Sequence, residues 1–461
     1  MTLNSYIESL HGKTITVIGL GVSNRPLLKL LLDAGYNVTV RDKRTAEKFG
    51  VADAKKLEAA GCHLILGENY LENITEDVIF RTPGLHPFTP QLAAAVERGA
   101  VLTSEMEVFF SVCPCHIIAV TGSDGKTTTT TIISELLKAQ GYRVFLGGNI
   151  GTPLLDKTPE MAENDWAVLE LSSFQLHSMN CSPDISVVTN VSPNHLDVHP
   201  SYEDYQTAKK QIFLSQRSSG VTVLNADNEI TRSFASECPG TVRFFSRKEV
   251  PENGVYLSDG IIYRIHDGVP SEILRAEDIQ IPGLHNVENY MAAFAATDGI
   301  VSDENCLTVA KNFRGVAHRL EMIRTLHGVT YCNDSIASSP TRTIAGLHAL
   351  RQKPILIAGG YDKHIPFDSL GDEICLHVKS LILTGFTADK IYEAVTKSPL
   401  YDPEKLAIRK IDDFRSAVLT ASEIAAEGDM VLLSPACASF DHFKNFVERG
   451  ETFRSIVNEL K

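Results

Sequence analysis

Three observations predict an α/β protein of three domains. Short apolar runs alternate with amphipathic stretches along the whole chain, the pattern of strands and helices wound into parallel sheets. Glycine-bearing turns follow several of those runs, near Gly19, Gly84, Gly122 and Gly359. The 461 residues also exceed what one hydrophobic core organises. Breaks in the alternation divide the chain into residues 1–112, 113–314 and 315–461.

The first domain opens with Thr14-Ile-Thr-Val-Ile-Gly-Leu-Gly-Val-Ser-Asn-Arg-Pro, which reads as strand, tight turn and helix start. The helix pattern runs to Asp33, Gly35 caps it, and a strand covers 36–41. Gly19-Leu-Gly-Val-Ser-Asn24 is a dinucleotide-type turn with asparagine in place of the third glycine. Asp42 closes the next strand, where a Rossmann domain sets an acid on a ribose hydroxyl, and Lys43 and Arg44 suit a phosphate. A Rossmann-shaped domain that binds no dinucleotide explains these residues equally well. The turn Thr82-Pro-Gly-Leu85 follows a strand at 78–81 and would line the same crevice.

Pro114 interrupts the pattern before the second domain. There Ala119-Val-Thr-Gly-Ser-Asp-Gly-Lys-Thr-Thr128 follows an apolar run and precedes a helix. This order aims backbone N–H groups and a helix N-terminus at phosphate oxygens. Lys126 would reach the β- and γ-phosphates of a nucleotide, and the Thr127 hydroxyl would coordinate Mg²⁺. Val120 stands where the longer phosphate loop has its first glycine, so the loop takes the short G-x-x-G-K-T form.

Further along, Glu170 ends a strand over 166–171, an edge suited to Mg²⁺, although a buried salt bridge would use it as well. His195, past a strand at 185–189, reads equally as ligand or as structural histidine. Lys209 and Lys210, in a helix over 202–215, read as a solvated lysine pair. An alternating, antiparallel-looking insert covers roughly 242–281. Asn286 and Asn289 stand one turn apart at a helix entry and are able to hydrogen-bond a purine or ribose.

Strands at 329–332, 354–358, 380–383 and 430–433 are predicted for the third domain. Arg319 lies at its start, placed to clamp nucleotide phosphates, and Asp334 follows the first strand, placed to hold a ribose. Gly359-Gly-Tyr-Asp-Lys363 is a strand-end turn carrying a lysine. A helix is predicted to start at Ser439, its N-terminus suited to a carboxylate. Cys437 has no convincing base beside it and reads as packing.

A net charge of −14 argues against nucleic acid or an anionic membrane as partner. The first residues show no leader pattern, and no apolar run is long enough to cross a bilayer. Nine scattered cysteines fit reduced thiols, and Cys113-Pro-Cys115-His116 lacks the second ligand pair of a zinc site. A cytoplasmic enzyme is expected.

Together these residues resemble the Mur ligase family, the ATP-dependent amino-acid-adding enzymes of peptidoglycan synthesis, from Gly19 to Arg449. Thr121-Gly-Ser-Asp-Gly-Lys-Thr127, Glu170-Leu-Ser-Ser-Phe-Gln-Leu176 and Gly283-Leu-His-Asn286 carry the family pattern. Ser434-Pro-Ala-Cys-Ala-Ser-Phe-Asp441 with Phe443-Lys-Asn-Phe446 is similar to the members that add D-glutamate. The Asp-Asn-Pro-Arg run usual in diaminopimelate-adding members is absent.

The resemblance implies a Rossmann-like N-terminal domain, a central P-loop mononucleotide-binding ATPase domain and a Rossmann-like C-terminal domain. It implies ATP and two Mg²⁺ ions as cofactors, UDP-N-acetylmuramoyl-L-alanine and D-glutamate as substrates, and an acyl-phosphate intermediate. A monomer is expected. Val22, Ser23, Asp42, Lys43 and Arg44, with Thr82, Pro83 and Gly84, would hold the UDP end. Gly122, Ser123, Asp124, Gly125, Lys126, Thr127 and Thr128 would cradle ATP, with Asn286, Asn289, Arg319 and Asp334 against ADP. Thr127, Glu170, His195 and a carbamylated Lys209 would ligate the metals, and Lys126, His195 and Lys209 would carry catalysis. Asn149 and Ser172 would approach the substrate, while Lys363, Ser439 and Phe446 would take D-glutamate. Two departures stand out: Ile336 occupies a position where family members commonly have lysine, and Asn24 replaces the small residue of the first turn. The rival readings are a folylpolyglutamate synthase, an NAD-dependent dehydrogenase built on Gly19–Asp42, and a non-catalytic nucleotide-binding module.

Overall fold

Three sheets organise the chain in a computed structural model that describes residues 1–193, 199–362 and 365–461. The chain forms two compact units, residues 1–278 with 287–309, and residues 279–286 with 310–461.

In the first unit, β1 (Ile15–Ile18), β2 (Val38–Asp42), β3 (Cys62–Leu66), β4 (Val78–Arg81) and β5 (Val101–Thr103) make a parallel sheet in the order β3-β2-β1-β4-β5. Every residue of β1 and β4 is buried, which is why these strands read as continuous apolar runs rather than as alternation. Strand order reverses between β1 and β4, so the turns at Gly19 and Thr82 stand side by side beyond neighbouring carboxyl ends, the crevice where such sheets bind ligands. Asn24 opens the helix Asn24–Asp33. Its buried Nδ2 donates to the carbonyls of Ile18 (3.2 Å) and Gly19 (2.9 Å), so the unusual residue closes the strand end.

The same unit holds a larger sheet of β6 (His116–Thr121), β7 (Val144–Gly148), β8 (Trp166–Glu170), β9 (Ile185–Val188), β10 (Val221–Asn225), β11 (Thr241–Ser246), β12 (Gly254–Ser258), β13 (Ile261–His266) and β14 (Val269–Arg275). Its order is β14-β13-β12-β11-β10-β9-β6-β8-β7. The insert is antiparallel only across β12, β13 and β14; β11 pairs in parallel with both β10 and β12, against the sequence expectation. Alternation reports one solvated face, and it does not distinguish the direction of the partner strand.

Glu105, at the start of the helix Glu105–Val112, is buried, and its Oε1 has no hydrogen-bond partner among the described residues. Burial pushes its pKa from 4.5 up to about 7, against the Leu155 N–H that favours the charge. The native state therefore keeps this proton while the unfolded chain releases it, and stability falls as pH rises from about 4.5 to 7. The expected loss is on the order of 3 kcal/mol. Urea unfolding across that range should show this slope in the wild type and a flatter profile in Glu105→Gln, which should be the more stable protein at pH 8.

In the second unit, β15 (Glu321–Leu326), β16 (Val329–Asn333), β17 (Ile355–Ala358), β18 (Ser380–Leu383), β19 (Ala407–Lys410) and β20 (Met430–Leu433) form a sheet ordered β15-β16-β20-β17-β18-β19. It is parallel except for the edge strand β15. The last helix begins at Phe446 and not at Ser439. Asn445 takes the cap, accepting from Glu448 N at 2.9 Å, and the Glu448 carboxylate accepts from Lys444 N at 2.7 Å. Among the described residues, no helix is long and apolar enough to cross a membrane.

Candidate functional site

Strand β6 lies between β8 and β9, so three adjacent carboxyl ends deliver Gly122, Glu170 and Thr189 to one edge. The loop from Gly122 to Gly125 leads into the helix Lys126–Ala139. Both glycines are required by space and conformation. Gly122 has φ +148° and a Cβ there would sit 1.9 Å from Thr189 Oγ1; Gly125 has φ +78° and a Cβ would sit 2.3 Å from Asn289 Oδ1. Gly125→Ala should therefore cost about 1–3 kcal/mol in chemical denaturation, and an unchanged midpoint would contradict the close approach.

Residues after β9 staple this loop in place. Ser123 N donates to Asn190 O (2.8 Å), Ser192 N to Ser123 Oγ (2.9 Å), and Thr189 Oγ1 to Asp124 O (2.6 Å). Lys126 Nζ folds back to donate to the carbonyls of Gly122 and Ser123, both at 3.0 Å. Thr127 Oγ1 donates to Glu170 Oε2 at 2.6 Å, and Asn149 Nδ2 donates to Glu170 Oε1 at 2.8 Å. A hydroxyl and a carboxylate side by side are hard oxygen donors of the kind Mg²⁺ takes, so the residues present fit that ion. Glu170 is buried and forms no salt bridge among the described residues; Thr127 and Asn149 are its side-chain partners.

Lys209 is not a solvated lysine. Its side chain is 1 % exposed, its Nζ donates to Gly122 O (2.7 Å) and lies 4.6 Å from the centre of the Tyr205 ring. Burial, and then the Lys126 charge, hold its pKa well below the ordinary lysine value. The signal was present in the sequence: the helix Tyr202–Leu214 buries Tyr205, Ala208, Ile212 and Phe213, and that stripe passes through position 209.

Around the smaller sheet, the exposed Val22, half-buried Ser23 and exposed Lys43 border the first turn, and Thr82, Pro83 and Gly84 the second. Asp42 and Arg44, both expected as ligand contacts, pair with each other. Arg44 donates from Nε (2.9 Å) and Nη2 (2.7 Å), and Leu20 N also donates to the Asp42 carboxylate (3.0 Å). Opposite charges two residues apart at one strand end satisfy each other. Sequence reasoning missed Arg81. It is fully buried and donates to Leu85 O (3.0 Å), Phe174 O (3.0 Å) and Ser178 Oγ (2.7 Å), locking the Thr82–Leu85 turn to the segment after β8. An arginine ending an otherwise apolar strand was the available clue. Ser172 caps the helix Ser173–Leu176 through a reciprocal bond with Gln175.

Asn289 accepts from Thr129 Oγ1 at 3.2 Å in the first unit, while Asn286 falls in the second unit and donates to Pro282 O at 2.6 Å. Arg319 is half-buried. Asp334, expected to face a ribose, is buried and accepts from Ser434 Oγ (2.7 Å) and Leu320 N (3.2 Å); burial pushes its pKa up to about 7. Ser439 is buried and Phe446 half-buried. Arg449, unassigned by sequence, is buried and donates to Ser335 O (2.9 Å), Cys437 O and Ala438 O (both 3.1 Å), fixing the segment that follows β20. Cys437 packs against Thr387 Oγ1 at 3.0 Å, and burial pushes its thiol up to about 11, as suits a packing role. His195 and Lys363 lie outside the described residues.

Family models match most of the chain. They are described as Mur ligase MurD-like, N-terminal domain (residues 13–104), Mur ligase middle domain (120–297) and Mur ligase, glutamate ligase domain (318–437). The chain is 50 % identical to the UDP-N-acetylmuramoylalanine--D-glutamate ligase of Acetivibrio thermocellus, over 100 % of this chain and 99 % of that protein. It is 48 % identical to the ligase of the same name from Clostridium acetobutylicum, over 99 % of each. Among solved structures it is similar to UDP-N-acetylmuramate-alanine ligase MurC from Thermotoga maritima, with a TM-score of 0.56 and 17 % identity over 97 % of this chain and 100 % of that one. MurF from Acinetobacter baumannii gives a TM-score of 0.57 and 16 % identity over 98 % and 92 %. At those identities the likeness concerns the fold.

Proposed function

The chain belongs to the Mur ligase family, and from that premise we propose how its residues work. It is an ATP-dependent ligase that adds D-glutamate to UDP-N-acetylmuramoyl-L-alanine in peptidoglycan precursor synthesis. The observation that carries the reading is the Thr127–Glu170–Asn149 cluster beyond the adjacent ends of β6, β8 and β7, beside the loop that Lys126 folds over.

Amide formation from a carboxylate in water is uphill. The γ-phosphoryl group of ATP therefore passes first to the L-alanyl carboxylate, and the amine of D-glutamate attacks the acyl phosphate through a tetrahedral intermediate that expels phosphate. Loop N–H groups from Gly122 to Thr128 and the Lys126 ammonium hold the β- and γ-phosphates. Held by Thr127, Glu170, His195 and a carbamylated Lys209, two Mg²⁺ ions would neutralise charge on the transferring group. Asn149 and Ser172 orient the acceptor, while Val22, Ser23, Asp42, Lys43, Arg44 and the Thr82–Gly84 turn hold the uridine diphosphate. Asn286, Asn289, Arg319 and Asp334 serve ADP, and Lys363, Ser439 and Phe446 receive D-glutamate. The domains divide at 112/113 and 314/315, and the enzyme works as a cytoplasmic monomer.

Phosphate release should require ATP, Mg²⁺, UDP-N-acetylmuramoyl-L-alanine and D-glutamate together. L-glutamate, L-lysine, diaminopimelate and folates should be turned over at least about a hundredfold less efficiently, since a polar site strongly rejects mismatched charged groups. Comparable turnover of diaminopimelate or folate would overturn the assignment.

A further inference from the structure

We propose that His86, His177 and Asp204 form a binding site for a transition-metal cation of the zinc type, using residues that the ligase reading leaves unassigned. They converge from three places: His86 from the loop after β4, His177 from the end of the helix Ser173–Leu176, and Asp204 from the first turn of the helix Tyr202–Leu214. One ligand atom from each lies within 4.8 Å of the others. His177 Nε2 stands 3.0 Å from Asp204 Oδ1, and the His86 and His177 rings meet edge-on with centroids 4.5 Å apart.

Two further observations favour a ligand over a chance cluster. His86 Nε2 is buried and has no hydrogen-bond partner among the described residues; the long 3.3 Å bond that Nδ1 accepts from Phe88 N would give way to the Nδ1–H tautomer when Nε2 binds a metal. Asp204 is also positioned from outside. Its Oδ2 lies 2.6 Å from His199 Nδ1, whose Nε2 lies 3.0 Å from Ser173 Oγ, and the imidazole stacks on Phe174 at 5.4 Å. Such outer contacts orient the carboxylate of a metal site.

Tetrahedral zinc, with bonds of about 2.0–2.1 Å, needs ligand atoms about 3.3 Å apart, so side-chain rotation of about 1–1.5 Å brings the three into place, and water supplies the fourth ligand. Two imidazoles and one carboxylate select Zn²⁺ or Co²⁺ over Mg²⁺, which prefers oxygen alone. Occupancy would tie the loop that carries the Thr82–Leu85 turn to two helices of the larger α/β module.

Co²⁺ titration of the full-length protein in saturating Mg²⁺ tests this, read by the visible absorption of four-coordinate cobalt. One equivalent should bind. Binding should weaken at least about tenfold in His86→Gln and in His177→Gln, and stay unchanged in His377→Gln. That last variant removes a ligand from the exposed His348–Glu373–His377 cluster, the competing site. Should His177→Gln fail to fold, His86→Gln, in a loop, decides alone. Absence of the four-coordinate spectrum in the wild type, equal binding in His86→Gln, or loss of binding in His377→Gln would each overturn the proposal.

Discussion

Lys126→Ala is expected to lower kcat/KM for D-glutamate-dependent phosphate release by about a thousandfold or more while leaving the fold intact. The ammonium is held over the loop by the carbonyls of Gly122 and Ser123, and those contacts are what an incoming phosphate would replace. An alanine removes that charge without touching the backbone N–H groups, which are fixed by the bonds from Ser123 N, Ser192 N and Thr189 Oγ1. Nucleotide binding should therefore weaken less than turnover does, because most of what is lost acts on charge that develops during transfer. Steady-state kinetics alongside nucleotide titration check both parts. More than a tenth of wild-type turnover in the variant would refute the role of this lysine, and with it the phosphate-loop reading.

Lys209→Arg is expected to reduce turnover by about 10²–10⁴-fold, and to abolish a carbamate carbonyl signal that the wild type should show by ¹³C NMR in labelled bicarbonate. An amine must be neutral to attack CO₂; the N–C bond forms and the nitrogen loses a proton, leaving an acidic group in place of a base. Burial and the neighbouring Lys126 charge hold the Lys209 pKa well below the ordinary value, so the neutral amine is populated nearer neutral pH than in an exposed lysine. The sign is definite: raising pH favours the carbamate and acidification opposes it. Arginine keeps charge and bulk but cannot form the adduct, so it separates the modification from mere packing. A wild-type protein without the signal, or an arginine variant of full activity, would exclude the carbamate.

How much was legible beforehand depended on the range of the interactions involved. The phosphate loop was readable because its strand, glycine turn and helix start fall within about a dozen consecutive residues. Strands β12 to β14 were readable as alternation, but the parallel pairing of β11 was not. The last helix was placed too early because the cap at Asn445, with Glu448 behind it, outcompetes Ser439.

By itself, the sequence determined the α/β class and the strand–turn–helix form of the segment from His116 into the helix Lys126–Ala139, since each follows from local turn chemistry and hydrophobic period. Only the tertiary structure decided that Asp42 is already paired with Arg44, and that the buried Arg81 and Arg449 tie loops to residues as far as 97 and 114 positions away. Desolvation and ion pairing are set by what surrounds a group in space, and those neighbours are brought together by the packing of remote segments.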